Sequence, residues 1–212
     1  MQKPIIKDPR AALENMVIAR DVLEAAGVAV FLNFGTLLGA LREKGFIPHD
    51  DDVDMEIYER DEAAFLGCRA ELEARGFSFV EKIEQMRLYT FRRNGEQIDF
   101  FVARERRTIL GRRWDLEGRS TVPARHLDSL EPLDFLGQRF MVPADPYGLV
   151  RNLYGSTWKV PIANRPSRIG WGFRLRKLLR HPGRLFFYAG RFLARRARWL
   201  GLALRAGGSP KP

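Results

Sequence analysis

Residues 50–54 read DDDVD, four carboxylates within five positions, and they run directly into the strand-like hexapeptide VDMEIY at 53–58. Side chains on a strand alternate with period two, so Asp52 and Asp54 project to one face and both reach a single hard cation. Val53, Met55 and Ile57 take one side of that strand, while Asp54, Glu56 and Tyr58 take the other. One face is therefore expected to join the core and the opposite face to carry chemistry. Mg²⁺, or Mn²⁺ in the same role, is commonly held by one or two carboxylates with substrate phosphate oxygens and water. A carboxylate pair so spaced suits a metal-nucleotide. Asp50 and Asp51 taken alone also fit a solvated acidic loop.

The chain on either side of this block supports the same chemistry. Val28 to Leu32 is a short, nearly continuous apolar run, the pattern of a strand buried on both faces, and it ends at Gly35 and Thr36. TLLGALRE at 36–43 favours a short helix. Backbone N–H groups, the Thr36 hydroxyl and the helix dipole can hold a phosphate where such a helix begins. Arg42 and Lys44 add positive charge suited to a second phosphate, and both also read as ordinary surface cations. Asp99 sits between Ile98 and Phe100. A carboxylate inside an apolar strand must pair with a base, face water or meet a metal.

Elsewhere the periodicities assign packing elements. Asp8 and Pro9 open a helix whose apolar stripe is Leu13, Met16, Val17 and Leu23, with Gly27 ending it. Residues 61–75 form a second amphipathic helix closed by Gly76, leading into 77–80. RLYTFRRNGEQIDFFVA at 87–103 is a hairpin turning on Asn94-Gly95, and 133–142 resembles another around Gly137. Pro146 to Tyr154 opens a short helix, while 108–126 has no strong period. The single cysteine, Cys68, excludes an internal disulfide and reads as a small buried residue.

Taken together, GTLLGALREKGFIPHDDDVD at 35–54, IDFF at 98–101, FLGQRFMVP at 135–143 and LVRNLYGSTW at 149–158 resemble the LicD and fukutin family of phosphotransferases. That family lies within the nucleotidyltransferase superfamily that includes the polymerase-beta-like enzymes. The resemblance covers roughly residues 28–161 and implies an α/β (α+β) fold, a small mixed sheet flanked by helices. It implies transfer of a phosphorylated alcohol, phosphocholine-like or a polyol phosphate, from a CDP-linked donor to a glycan or glycolipid acceptor. By position, Asp52, Asp54 and Asp99 match the family's metal carboxylates, and Gly35 and Thr36 match its donor-phosphate motif. Asp50 matches a further acidic position, while Tyr154, Gly155 and Trp158 match a late motif that shapes the donor or acceptor pocket. Asp99 either completes the metal site or helps deprotonate the acceptor hydroxyl. In-line attack at the phosphorus distal to the nucleoside would release CMP. The runner-up transfers the nucleotide itself from a nucleoside triphosphate and releases pyrophosphate. His49 stands where the family usually has tryptophan, and Ser156 and Thr157 replace a frequent acidic residue. These departures bear on donor or acceptor identity and not on the metal carboxylates.

Charge divides the chain. All 26 acidic residues lie at or before Asp145, and the 15 basic residues after it are unopposed. A catalytic domain over 1–165 and a basic tail over 166–212 are expected, with the boundary near 161–167. Arg184, Arg191, Arg195, Arg198 and Arg205, five of the six arginines between 184 and 205, recur at helical spacings, and Phe186, Leu193, Leu200 and Leu204 define another face, a basic amphipathic helix. So many charges argue against a spanning helix, and no signal-peptide-like apolar stretch opens the chain. The expected location is the cytoplasm, peripheral on the inner membrane face. An anionic membrane surface is favoured over nucleic acid as the tail's partner because the apolar face is long; packing on protein is the plain alternative. Liposome flotation on anionic vesicles should retain the full chain and lose a chain ending at Ser167; equal flotation of both removes the membrane proposal.

Overall fold

The computed structural model describes residues 6–109, 111–117 and 120–161, so the arginine-rich tail and the boundary proposed near 161–167 lie outside the described residues. Helix α1 (Pro9–Ala25) begins as its sequence requires. The Asp8 carboxylate accepts from the Arg10 and Ala11 amides, and Pro9 occupies the first turn, where no N–H is missed. Its buried face is Ala12, Asn15, Met16, Ala19, Val22 and Leu23, rotated slightly from the expected stripe, so that Leu13 and Val17 are only half-buried.

Strand β1 (Val30–Leu32), helix α2 (Phe34–Arg42) and strand β2 (Val53–Tyr58) follow. The chain then makes a 3-10 turn at 59–61 and two short helices, α3 (Glu62–Gly67) and α4 (Arg69–Ala74), in place of the single helix expected over 61–75. The α-helix stops at Gly67, a poor helix former, and restarts beyond Cys68, which is buried with its thiol donating to the Ala64 carbonyl at 3.3 Å. Phe65 and Leu72, one from each piece, still reach the core.

Strands β3 (Ser78–Ile83), β4 (Leu88–Arg93) and β5 (Glu96–Thr108) complete the central sheet, in the order β1-β2-β5-β4-β3. β4 and β5 turn on Asn94 and Gly95, both at positive φ (52° and 81°), the geometry a two-residue hairpin demands. Among the described residues only β2 and β5 run parallel; every other pairing is antiparallel. Because β2 is paired on both edges and covered on both faces, all six of its side chains are buried. The expected division into a core face and an open face is thus corrected: Glu56 and Tyr58 are enclosed, and the Tyr58 hydroxyl donates to the Leu127 carbonyl at 2.7 Å.

β5 runs on past β2, and its distal half pairs with β6 (Gly111–Leu116), which pairs in turn with β7 (Ser120–Pro123). A separate hairpin, β8 (Leu130–Phe135) and β9 (Gln138–Pro143), precedes helix α5 (Pro146–Tyr154). The aromatic rings of Phe65, Tyr89, Phe91 and Phe100 pack between α3 and the sheet with centroids 5.2–6.2 Å apart, the spacing of tilted and edge-to-face pairs. No helix among the described residues is long and apolar enough to cross a membrane.

Candidate metal centre

The site is built at the junction of β1, α2 and β2. Antiparallel register sets Leu32 against Met55, so Asn33 falls beside Asp54 and its amide reaches the Asp54 carbonyl at 3.4 Å. α2 begins at once. The Asn33 side chain caps it by accepting from the Phe34 amide at 2.8 Å and also donates to the Glu56 carboxylate. Phe34 itself holds φ +45°, a conformation disfavoured for an aromatic residue, and is pinned there by its edge-on contact with Phe101 at 4.8 Å. This abrupt entry aims the first turn of α2 at β2. The Gly35 amide donates to Asp54 Oδ2 at 2.7 Å, and the Asp54 amide donates back to the Thr36 hydroxyl at 2.9 Å.

Two glycines one turn apart let the acidic loop fold against α2. A Cβ on Gly35 would lie 2.5 Å from Asp50 Oδ2 and 2.9 Å from Asp54 Oδ2, closer than real contacts allow. A Cβ on Gly39 would lie 2.5 Å from the Gly45 carbonyl. Residues i and i+4 share a helix face, so this seam is one bare strip against which residues 45–54 pack. Glycine costs about 1 kcal/mol in a helix interior relative to alanine, and close backbone approach is what offsets it here.

Oxygens of Asp50, Asp51 and Asp52 lie within 4.8 Å of one another, all three residues half-buried. Asp54 and Asp99 are partners in the parallel β2–β5 register, side by side on one face, and both are buried (8% and 4% exposed). Asp99 Oδ1 accepts from Thr90 at 2.8 Å and Gln97 at 3.2 Å. Burial, then the charges of Asp52, Asp50 and Asp99, push the Asp54 carboxyl well above the usual carboxylate range, against the Gly35 hydrogen bond. Burial likewise raises Asp99 to about 6. The structure thus gathers Asp50, Asp52, Asp54 and Asp99 around the α2 N-terminus. The three carboxylates in tightest mutual range are the loop set, and the two strand carboxylates lie beside them.

Further residues of the expected set divide. Tyr154, at the end of α5, is half-buried, and its phenol is held well above its ordinary range by burial, then by Asp54 and Asp50, which places it beside the carboxylates. Arg42 lies close enough to oppose that shift; it pairs with Glu43 at 2.6 Å and donates to the Trp158 carbonyl at 3.1 Å, tying the late motif to α2. Trp158 is buried at the far side of this tie. Lys44 is exposed beyond the end of α2, and no contact joins it to the carboxylates. Sequence reasoning passed over Gly39, Asn33, Glu56 and Glu117. Glu56 is wholly buried, one of its oxygens has no hydrogen bond, and burial raises it to about 8, which Asn33 partly counters. Glu117, whose charge reaches both Glu56 and Tyr154, stands at φ +52° in the β6–β7 turn. The alternation in VDMEIY already put Glu56 on the Asp54 face, and the Gly-x-x-x-Gly spacing was the available sign of the seam.

The loop set fits a hard divalent cation: Asp50, Asp51 and Asp52 offer carboxylate oxygens, and the neighbouring carboxylates raise one another's affinity for positive charge. Of the expected metal carboxylates, Asp52 lies in this loop set just ahead of β2, while Asp54 and Asp99 sit on the adjoining strands.

Comparison with known proteins identifies a family and a likeness of fold. The LicD/FKTN/FKRP nucleotidyltransferase-domain family matches residues 27–145. Mouse ribitol 5-phosphate transferase FKRP is 34% identical over 144 residues, covering 64% of this chain and 29% of that protein. Mouse ribitol-5-phosphate transferase FKTN is 28% identical over 163 residues, covering 72% and 34%. The chain therefore spans about a third or less of the length of these relatives. The solution structure of the antibiotic-resistance factor ANT(2'')-Ia superimposes with a TM-score of 0.51 at 12% identity, covering 93% of this chain and all of that one, a likeness of fold.

Two substitutions probe the arrangement. Gly39→Ala should lower both stability and turnover, the latter by about a hundredfold if the loop moves by an ångström, despite alanine's better helix propensity. Gly67→Ala, where a Cβ meets nothing within 4 Å, should instead stabilise. Equal stabilisation by both in denaturant unfolding rejects the seam. Glu56 supplies a pH signature. Between pH 4.5 and about 8 the folded protein keeps a proton that the unfolded chain has released, so raising the pH across that window favours unfolding. Glu56→Gln, which keeps the Asn33 hydrogen bond, should flatten that decline in metal-free melting curves; an unchanged slope places the titration elsewhere.

Proposed function

The chain belongs to the LicD/FKTN/FKRP nucleotidyltransferase-domain family, and on that footing we propose that it transfers a phosphorylated alcohol from a CDP-linked donor to a hydroxyl of a cell-envelope glycan or lipid-linked sugar. Two relatives bear the name ribitol-phosphate transferase, which supports a polyol phosphate as the group moved. The observation that carries the reading is the convergence of Asp50 and Asp54 on Gly35 at the head of α2, with Asp99 the register partner of Asp54.

Asp52 and Asp54 would hold a divalent ion, Mg²⁺ or Mn²⁺, which would neutralise charge on the donor's pyrophosphate. Gly35 and Thr36 act first on Asp54, fixing its carboxylate and its backbone, and through it on the donor. Positioning and electrostatics carry most of such a transfer. The acceptor oxygen bonds to the phosphorus distal to the nucleoside, the bond to CMP breaks, and the acceptor's proton leaves. Asp99, with one oxygen anchored and a carboxyl raised to about 6, is suited to receive that proton near neutral pH or to complete the cation's ligands. Tyr154, on which the charges of Asp54 and Asp50 act, faces the donor side, and Arg42 holds the Trp158 segment against α2. The basic tail docks the enzyme on an anionic membrane surface near a lipid-linked acceptor; nucleic acid is not the expected partner.

Incubation with Mg²⁺ and a panel of CDP-choline, CDP-glycerol, CDP-ribitol and nucleoside triphosphates identifies the leaving product. Release of CMP is expected, and Asp52→Asn and Asp54→Asn should each lower turnover at least about a hundredfold. Pyrophosphate release from a triphosphate would mean nucleotide transfer instead, and metal-dependent turnover surviving both substitutions would overturn the assignment.

A further inference from the structure

A cleft of about 370 Å³ opens between α5 and the turn that follows it, lined by Asp145, Tyr147, Gly148, Arg151, Trp158 and Lys159. Its floor is aromatic. Trp158 is nearly buried, Tyr147 is 54% exposed, and their ring centroids are 6.0 Å apart at 45°. Two cations line the cleft: Lys159 Nζ is 5.6 Å from the Trp158 ring centroid, and the Arg151 side chain is exposed. The one carboxylate present is already oriented, with Asp145 Oδ1 accepting from the Gly148 amide at 2.9 Å and Oδ2 against His126 Nδ1 at 2.8 Å. Tyr147, Arg151 and Tyr154 are spaced by four and three residues, so they share one side of α5. Tyr154 is near enough to Asp54 and Asp50 for their charges to act on its phenol, and Tyr147 stands about 10 Å from Tyr154 along the helix axis.

We propose that this cleft binds the acceptor, and that the acceptor is a sugar bearing an anionic substituent, a phosphate or a carboxylate. This rests on the transfer reading above for the word acceptor, but the binding itself does not. Aromatic faces take the C–H side of a pyranose, the remaining lone pairs of Asp145 accept sugar hydroxyls, and Arg151 and Lys159 take the anion through charge-assisted hydrogen bonds. A cytidine carries no charge beyond its phosphates, which the carboxylate site engages, so two cations an arm's length away serve a second ligand better than the donor's base. The Arg42 link to the Trp158 carbonyl joins the cleft mechanically to α2 and hence to the site.

The test is NMR of the full chain labelled with ¹⁵N-tryptophan, following the Trp158 indole signal, identified by its loss in Trp158→Phe. The probes are glucose 6-phosphate, glucose and inorganic phosphate. Glucose 6-phosphate should shift the signal with at least about tenfold higher affinity than either glucose or phosphate alone. The double variant R151Q/K159Q should reduce it to the level of glucose, Tyr147→Ala should weaken both sugars, and CDP-glycerol with Mg²⁺ should leave the shift in place. Equal affinity for glucose and its phosphate, phosphate binding as tightly as the phosphosugar, indifference to R151Q/K159Q, no shift with any probe, or displacement by CDP-glycerol would each overturn the proposal. No turnover is needed, so failure of the transfer assay leaves this result intact, and a negative result here leaves the Asp54 assignment intact.

Discussion

A hydrogen bond of 2.7 Å from the Gly35 amide to Asp54 ties the first turn of α2 to the central parallel strand of the sheet. Much of the site's geometry follows from that tie. It requires β1 to end one residue before α2 begins, and that junction is where the chain accepts a left-handed Phe34 and uses Asn33 as cap and brace at once. It also requires that nothing project from Gly35, because Asp50 approaches from the loop side as Asp54 does from the strand. A helix N-terminus is a natural seat for negative charge, since its amides and dipole both favour an anion. Here the fold has placed its own carboxylate in that seat before any substrate arrives.

The cost of this placement is electrostatic. Asp54 is buried among like charges, and Glu56 is buried two positions along the same strand face with one oxygen unbonded. Such groups favour protons in the isolated protein and favour a cation when one is offered, the behaviour expected of a centre that gains charge on binding. The structure offsets part of the cost with short-range partners: Gly35 and Thr36 for Asp54, Thr90 and Gln97 for Asp99, and Asn33 for Glu56. The neighbouring aromatic core around Phe65 and Phe100 leaves β2 and β5 little room to shift, so the two strand carboxylates stay in register.

The parts legible in the sequence were those with a local physical signature. The cap at Asp8 and the hairpin turn at Asn94-Gly95 each follow from one or two residues whose chemistry admits few alternatives. The β6–β7 hairpin was not legible, because its strands carry arginines on an exposed face. Their inward contacts are mainly Trp114, Leu116 and Val122, so hydrophobic alternation is thin. Nor was the burial of Glu56. VDMEIY reads as a one-sided strand, and only the parallel pairing with β5 and the cover of α2 and the later turns enclose its second face. Gly39 is a third case, since a helical glycine declares its reason only once the Gly45 carbonyl is seen above it.

Anomalous diffraction from crystals of the protein soaked with Mn²⁺ tests the metal centre most directly. One ion bridging Asp52 and Asp54 beneath the head of α2, within reach of Asp99, is the expected result. Density confined to Asp50, Asp51 and Asp52 on the loop, with Asp54 contributing no ligand and still bonded only to Gly35, would contradict it.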